Sequence, residues 1–428
     1  MRPRYFVIAL SLAASLAGSG TEAQTQPGTP RPPVRIALDE AVNMALAHNH
    51  ALAAARLNIQ QSQAQEVTAN LRPNPVLLAD AQFLPVFNPN QFTGDYVDQV
   101  AQFDMGVSYL FERGRKRQNR VQAAKDATGV TIAQVADNER QLAFQTASTF
   151  VAVLLAEANL ELAREDLKSF SNTVDISDAR FKAGDISEGD YLKVKLQLLQ
   201  FQTDVSQAEL ARIQSLVALR VLLGFESVPA DYDVAGTLEY APVRTGRDDA
   251  LALAQQHRPD LYAAVKGVAA ARSQYDLAVA GGKVDVTGQV NYTHVAALSS
   301  LSFFMNVPLP VFNRNQGEIA RTRYAVTQAE ELRRAAEDTV LGDVSGSYDG
   351  VTTNDKVVQL YRSGYLDEAK LSRDISEYAY KRGAASLLDF LDAERSYRAT
   401  QIAYRQSLAS YMLAVEQLRE STGTRSLP

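Results

Sequence analysis

Asp389 and Asp392 stand three residues apart, just after the stretch Tyr380-Lys381-Arg382-Gly383. Residues at i and i+3 share a helix face, so the two carboxylates would stack near a helix start, where negative charge is favoured. The chemistry open to such a pair is electrostatic. Carboxylates repeated around a symmetry axis attract cations and repel anions. Taken alone, the same spacing also suits two plain helix-end charges. Other chemistry finds little footing. His48 and His50 are i and i+2, which on a helix face roughly opposite ways. With four histidines and no cysteine, the chain offers no thiolate metal site, disulfide or thiol nucleophile. His294 falls at an expected loop, where a serine–histidine hydrolase has no footing. No catalytic residue, cofactor or metal ligand is therefore assigned.

The stretch carrying the aspartates occurs twice. Subtracting 199 aligns Phe181, Lys182, Gly184, Ser187, Asp190 and Tyr191 with Tyr380, Lys381, Gly383, Ser386, Asp389 and Phe390. Each glycine interrupts a long proline-free run, so each reads as the turn of an antiparallel helical hairpin. The runs before the turns, 115–183 and 313–382, predict helices that would each be about 105 Å long if unbroken. Gly342, Gly346 and Gly350 are expected to let the second bend or pack closely.

The helices after the turns, 187–223 and 386–422, are about half as long. Residues 38–71 and 248–280, which match at an offset of 209 through Asp39/Asp248, His48/His257 and Leu52/Leu261, predict two further helices. Stacked end to end with the half-length helices, they would complete rods matching the long ones. The helix after the second turn shows a 3-4 apolar repeat from Leu387 to Leu418, with Glu394 and Gln401 as polar exceptions.

Between the helices lie short segments of period two. In 284–293, Val284, Val286, Val290 and Tyr292 alternate with Asp285, Thr287, Gln289 and Asn291, and 300–307 alternates around Ser302. Residues 101–111 do the same, with 75–86 as a weaker partner. Such alternation marks strands with one apolar and one wet face. Four strands cannot close a barrel, and an open sheet in lipid leaves its edges unpaired. If the strands span a membrane, several chains share one barrel; three would give twelve strands, with Asp285, Gln289, Asn291 and Ser302 lining the lumen. The other reading is a periplasmic coiled-coil scaffold or adaptor protein that stays out of the membrane, its sheet capping the rod.

The N-terminus, with Arg2 and Arg4 before an apolar stretch and small residues after it, reads as a signal peptide over 1–23. Domain order is then an extended segment 24–37, repeat 1 over 38–224, a linker 225–247 rich in proline and glycine, repeat 2 over 248–423, and a tail 424–428. No later run of about eighteen apolar residues predicts a membrane helix. The formal charge of -6 argues against nucleic acid as a partner, and the missing cysteine excludes an N-terminal lipid anchor.

Arg72-Pro73-Asn74-Pro75, the segment Pro308-Leu309-Pro310-Val311-Phe312-Asn313-Arg314-Asn315-Gln316-Gly317 and the paired turn sequences together resemble the TolC-type outer-membrane efflux proteins, in the branch serving heavy-metal efflux. The resemblance spans nearly the whole mature chain. It implies a mainly α fold with a small β part, assembling as a homotrimer: a twelve-stranded β-barrel in outer-membrane lipid on an α-helical periplasmic tunnel. It also implies a passive export duct in a Gram-negative cell, coupled through a periplasmic adaptor to an inner-membrane pump of the RND type that exports a heavy-metal cation or a drug. By resemblance, Lys182, Ala183, Gly184, Lys381, Arg382 and Gly383 meet the adaptor. Asp190, Asp389 and Asp392 line the closed tunnel end, and Tyr380 hydrogen-bonds Asp190 in the lock. An arginine expected two residues after the second glycine is Ala385 here, which leaves that lock differently built.

Overall fold

The computed structural model describes residues 34–427; the expected signal peptide lies outside them. Repeat 1 opens with the short strand β1 (Arg35–Ile36), then α1 (Leu38–His48) and α2 (His50–Asn70). The strand β2 (Val76–Gln82), a short helix α3 (Gly94–Gln99) and the strand β3 (Gln102–Phe111) follow. The long helix α4 (Lys116–Ala183) turns back as α5 (Glu188–Leu223). After β4 (Asp233–Val234), repeat 2 runs through α6 (Arg247–His257), α7 (Pro259–Gly281), β5 (Val286–Val295), β6 (Leu298–Asn306), α8 (Gln316–Leu360), α9 (Leu366–Lys381) and α10 (Leu387–Thr422).

Three expectations change. The helices expected over 38–71 and 248–280 are each two helices. Asn49 leaves the helical region and caps α2 through Leu52 N, while Pro259 opens α7 and holds Arg258 extended. These breaks are the joints at which the rods stack. Asn49 Nδ2 donates to Leu222 O at 3.1 Å. Gly224, at φ 88°, lies so close to the first break that a Cβ there would sit 2.8 Å from His48 O; Gly423, at φ 72°, meets His257 in the same way. The stretch expected as a linker also carries β4, which pairs in parallel with β1, Ile36 opposite Val234.

The third change concerns the bend in the second long helix. Gly342, Gly346 and Gly350 all lie within the α-helix α8. The helix instead opens into a π-turn at Tyr361–Tyr365, where Gly364 adopts φ 128°, a value that side-chain-bearing residues rarely reach.

Apolar residues are buried in three clusters. Two sit at the joints, one around Phe150, Leu154, Leu219 and Leu223, the other around Val340, Val344, Tyr411 and Leu418. The third lies near the turns and joins the hairpins through Phe170, Val194, Phe201, Tyr380, Leu387 and Phe390. One stretch of α4 is long and apolar enough to cross a membrane by composition, but 56% of it is buried within the fold.

The four main strands form one antiparallel sheet in the order β2-β3-β5-β6. Its register aligns Leu77, Val107, Val290 and Phe303 in a row, and beside it Ala79, Met105, Tyr292 and Leu301. The period-two pattern thus produces continuous apolar rows on one face. No helix covers them: Leu77 is 68% and Phe303 74% exposed.

Candidate channel sheet and helix-tip gate

On the opposite face of the sheet, the register places Asn291 between Gly106 and Ser302, and Gln289 opposite Ser108. Gln289 Nε2 donates to Asn291 Oδ1 at 2.8 Å, and Thr293 and Gln102 both hydrogen-bond the Asp104 carboxylate. Gly106 is required here, because a Cβ would overlap the Asn291 side chain. Gln289, Asn291 and Ser302 therefore share one polar face. Asp285 does not join them. It precedes β5, accepts from the Arg113 amide at 2.9 Å and pairs with Lys116 at 2.7 Å, fastening the strand root to α4. A charge at a strand entrance is better compensated by a helix-start lysine than by facing a neighbouring strand.

At the other end of the rods, both turns have the same backbone. Gly184 N donates to Phe181 O and Asp185 N to Arg180 O; Gly383 N donates to Tyr380 O and Ala384 N to Ala379 O. This is the Schellman arrangement, with glycine at φ 83° and 74° where a side chain would be strained. Ser187 and Ser386 then cap α5 and α10 by accepting from the amides of Asp190 and Asp389.

The tip cations turn back on their own helices. Lys182 pairs with Asp178 and Lys381 with Glu377, each at 2.5 Å, while Arg382 lies 4.9 Å above the Tyr378 ring. Ala183 and both glycines are exposed at the turns. Asp389 completes the cap by accepting from Ser386 N, and Asp392 is exposed one turn along; neither meets the other hairpin within the chain.

The expected bond from Tyr380 to Asp190 is not formed. Tyr380 is buried, stacked against Phe390, and its hydroxyl lies 3.2 Å from Ser177 Oγ. Asp190 is half-buried and engaged by Ser187 and by Lys193 at 3.2 Å; Lys193 first, then Ser187, hold its pKa below the ordinary carboxylate value. The two groups lie on different sides of the tip, Tyr380 in the core and Asp190 at a solvated helix start.

Arg180 is a polar tie between the hairpins that the sequence reading did not single out. Its Nη1 donates to Tyr380 O at 2.8 Å, and its guanidinium lies 5.4 Å from the Tyr380 ring centre. In the repeat alignment its counterpart is Ala379, and that mismatch was the available signal. Asp178, which accepts from the Tyr191 hydroxyl at 2.9 Å, closes the first hairpin.

Above the tip lies a buried ionic cluster. Arg398 pairs with Asp204 at 2.5 Å and lies 3.3 Å from Asp166, at a cavity of about 420 Å³ that Glu394, Gln197 and Gln200 also line. Glu394 is 6% exposed and has no hydrogen bond or ion pair among the described residues. Burial raises its pKa to about 7 despite Arg373 and Arg398, and raises that of Asp166 to about 6. Glu394 was visible in the sequence as a polar interruption of an apolar seam.

A one-sided sheet is thus rooted on paired helical rods, with glycine-turned tips at the far end. The chain belongs to the outer membrane efflux protein family, whose model matches residues 41–225 and 250–424. It is 23% identical to the cobalt-zinc-cadmium resistance protein CzcC of Cupriavidus metallidurans, over 94% of this chain and 95% of that one. It is 25% identical to the pyoverdine export outer membrane protein OpmQ of Pseudomonas putida, over 88% and 84%. Its fold matches the open state of the MtrE outer membrane channel of Neisseria gonorrhoeae with a TM-score of 0.74 at 18% identity, covering 90% of this chain and 89% of that one.

Proposed function

We propose that three copies form the outer-membrane channel of a tripartite efflux system. One observation carries this reading: the four-stranded sheet exposes continuous apolar rows and leaves β2 and β6 as open edges. Joining β6 of one copy to β2 of the next satisfies both edges without burying the apolar face in protein. Two copies would give eight strands, an interior that side chains fill; three give twelve and leave a duct. The rods support the same ring. Leu192, Leu196 and Leu199 on α5, and Leu371, Ile375 and Tyr378 on α9, form exposed 3-4 seams that no helix covers among the described residues. A seam on each flank suits a head-to-tail contact that closes. A scaffold outside the membrane leaves both the sheet face and these seams uncovered.

In this assembly Gln289, Asn291 and Ser302 line the barrel, and threefold symmetry turns Asp389 and Asp392 into carboxylate rings that favour cations at the tunnel end. The two tips, including Lys182-Ala183-Gly184 and Lys381-Arg382-Gly383, dock the periplasmic adaptor of an inner-membrane RND-type pump. Heavy-metal cations are the exported class, supported by the end-to-end match to a cobalt-zinc-cadmium resistance protein. The test is deletion of the gene and its complementation in the host. Cells lacking it should retain more zinc, cobalt or cadmium, and the Gly184→Val/Gly383→Val variant should fail to restore export while still assembling. Unchanged metal content with loss of siderophore or drug export would move the substrate assignment to those compounds.

A further inference from the structure

The sheet is bracketed by cations. Residues 73–112, which hold β2 and β3, contain no lysine or arginine, nor do residues 284–313, which hold β5 and β6. Arg72 and Arg113 flank the first segment directly, and Lys283 and Arg314 the second. All four entries to the sheet are thus marked by a basic residue. The fold brings them to one level. Arg120 on α4 hydrogen-bonds the last carbonyls of α2, Ala69 O and Leu71 O; Asn315 Nδ2 donates to Ala278 O near the end of α7; Lys283 packs over Gly114.

Local acids leave most of this collar without an ion pair. Asp285 is occupied by Lys116, Glu112 by Arg120 and Glu318 by Arg321. The side chains of Arg72, Arg113, Arg115, Arg117 and Lys283 have no ion pair or hydrogen bond among the described residues. The Arg314 side chain donates only to a backbone carbonyl among the described residues, Pro310 O at 3.1 Å. Arg72 and Arg117 line a cavity of about 280 Å³ together with Tyr109 and Phe111, and its one carboxylate is the paired Glu112. Beside the collar, Leu309 is 81% and Phe312 91% exposed.

Unpaired cations just beyond an exposed apolar band fit a bilayer surface, where each cation near anionic lipid adds to attraction and apolar neighbours enter the acyl region. Resting on the membrane reading above, we propose that this collar binds the phosphate headgroups of anionic phospholipids in the leaflet facing the helical rods. The Arg72/Arg117 cavity seats one headgroup per chain, and Leu309 and Phe312 contact its acyl chains.

The chain has no tryptophan, so Phe111→Trp places a single reporter in the cavity wall. The full-length assembled protein is reconstituted into bilayers of phosphatidylcholine and phosphatidylglycerol in which one or the other lipid carries brominated chains. Brominated phosphatidylglycerol should quench the reporter several-fold more than brominated phosphatidylcholine at low salt, and less so at high salt. Arg72→Gln/Arg117→Gln should bring that preference close to one, whereas Arg321→Gln, already paired with Glu318, should leave it intact. Phe312→Trp repeats the measurement should Phe111→Trp fail to assemble. Equal quenching by both lipids overturns this inference and leaves the channel standing; no quenching by either overturns the membrane reading beneath it.

Discussion

The two hairpins share a turn, a cap and a repeat offset, yet they are built to different stiffness. In the first, α4 runs unbroken for 68 residues, and its distal third buries Phe170, Thr173 and Ser177. In the second, the same length is divided by the π-turn at Gly364, and α9 buries only Tyr380. Its seam residues Leu371, Ile375 and Tyr378 face outward. The first hairpin is a strut and the second a jointed arm, held to the strut by Tyr380, Phe390 and Arg180. Duplication supplied the shape twice; the difference between copies supplied a part that can move.

The comparison breaks most severely at Phe390, which is buried between Phe170 and Tyr380 at ring-centre distances of 6.4 and 5.3 Å. Phe390→Ala should cost about 3–5 kcal/mol of tip stability, since the cavity opens where the hairpins meet. Hydrogen exchange should then accelerate across α9 and the first turns of α10 while the distal part of α4 stays protected. Equal loss in both hairpins would contradict the strut and arm.

Next in size is the hinge. Gly364→Ala forces a side chain into a conformation worth about 1–3 kcal/mol of strain, so α9 should stiffen or shift register. Gly342→Ala, within regular helix with open space around it, should be neutral or stabilise by up to about 1 kcal/mol. Channel conductance in planar bilayers should change for the first and not the second.

Acidity should act on the same arm. Glu394 has an ordinary value of 4.5 and a packed value of about 7, so the packed tip binds a proton that the separated tip releases. Stability of the tip is therefore greatest at acid pH and falls as pH rises from about 4.5 to about 7, by about 1–3 kcal/mol. Glu394→Gln should flatten that slope, read as exchange protection of α10 against pH. A slope that survives the substitution assigns the effect elsewhere. The smallest effect belongs to Tyr380→Phe, which removes only the bond to Ser177 and should cost about 0.5–1.5 kcal/mol. Arg180→Ala should cost more, because it strips a charged donor from Tyr380 O.

Much of this architecture was legible because it rests on local rules. Glycine turns, period-two strands and the 199-residue offset each report short-range geometry, and the strands, tips and stacked rods follow them. What the sequence hid depends on contacts between distant segments. The Tyr380 hydroxyl turned to Ser177 because packing against Phe390 faces it into the core, which no spacing rule encodes. Asp285 kept the strand alternation but lay one residue before the strand, where Lys116 claims it. The joint at Asn49 lacked a proline and went unread, although Pro259 marked its counterpart. Gly364 opens the helix, whereas Gly342, Gly346 and Gly350, where the spacing predicts a bend or close packing, lie in regular helix with open space around them.

The central claim is that β6 of one copy meets β2 of the next in a closed ring of three, and the absence of native cysteine makes it directly testable. Single cysteines placed at Leu78, Ala79 or Asp80 on β2 are combined with single cysteines at Ser300, Leu301 or Ser302 on β6, and outer membranes are oxidised before denaturing electrophoresis. At least one pairing should convert the chain into a covalent trimer with nothing larger, because the third bond closes the ring. An open-ended ladder of products, or no crosslink in any pairing from membrane-inserted protein, would contradict the account.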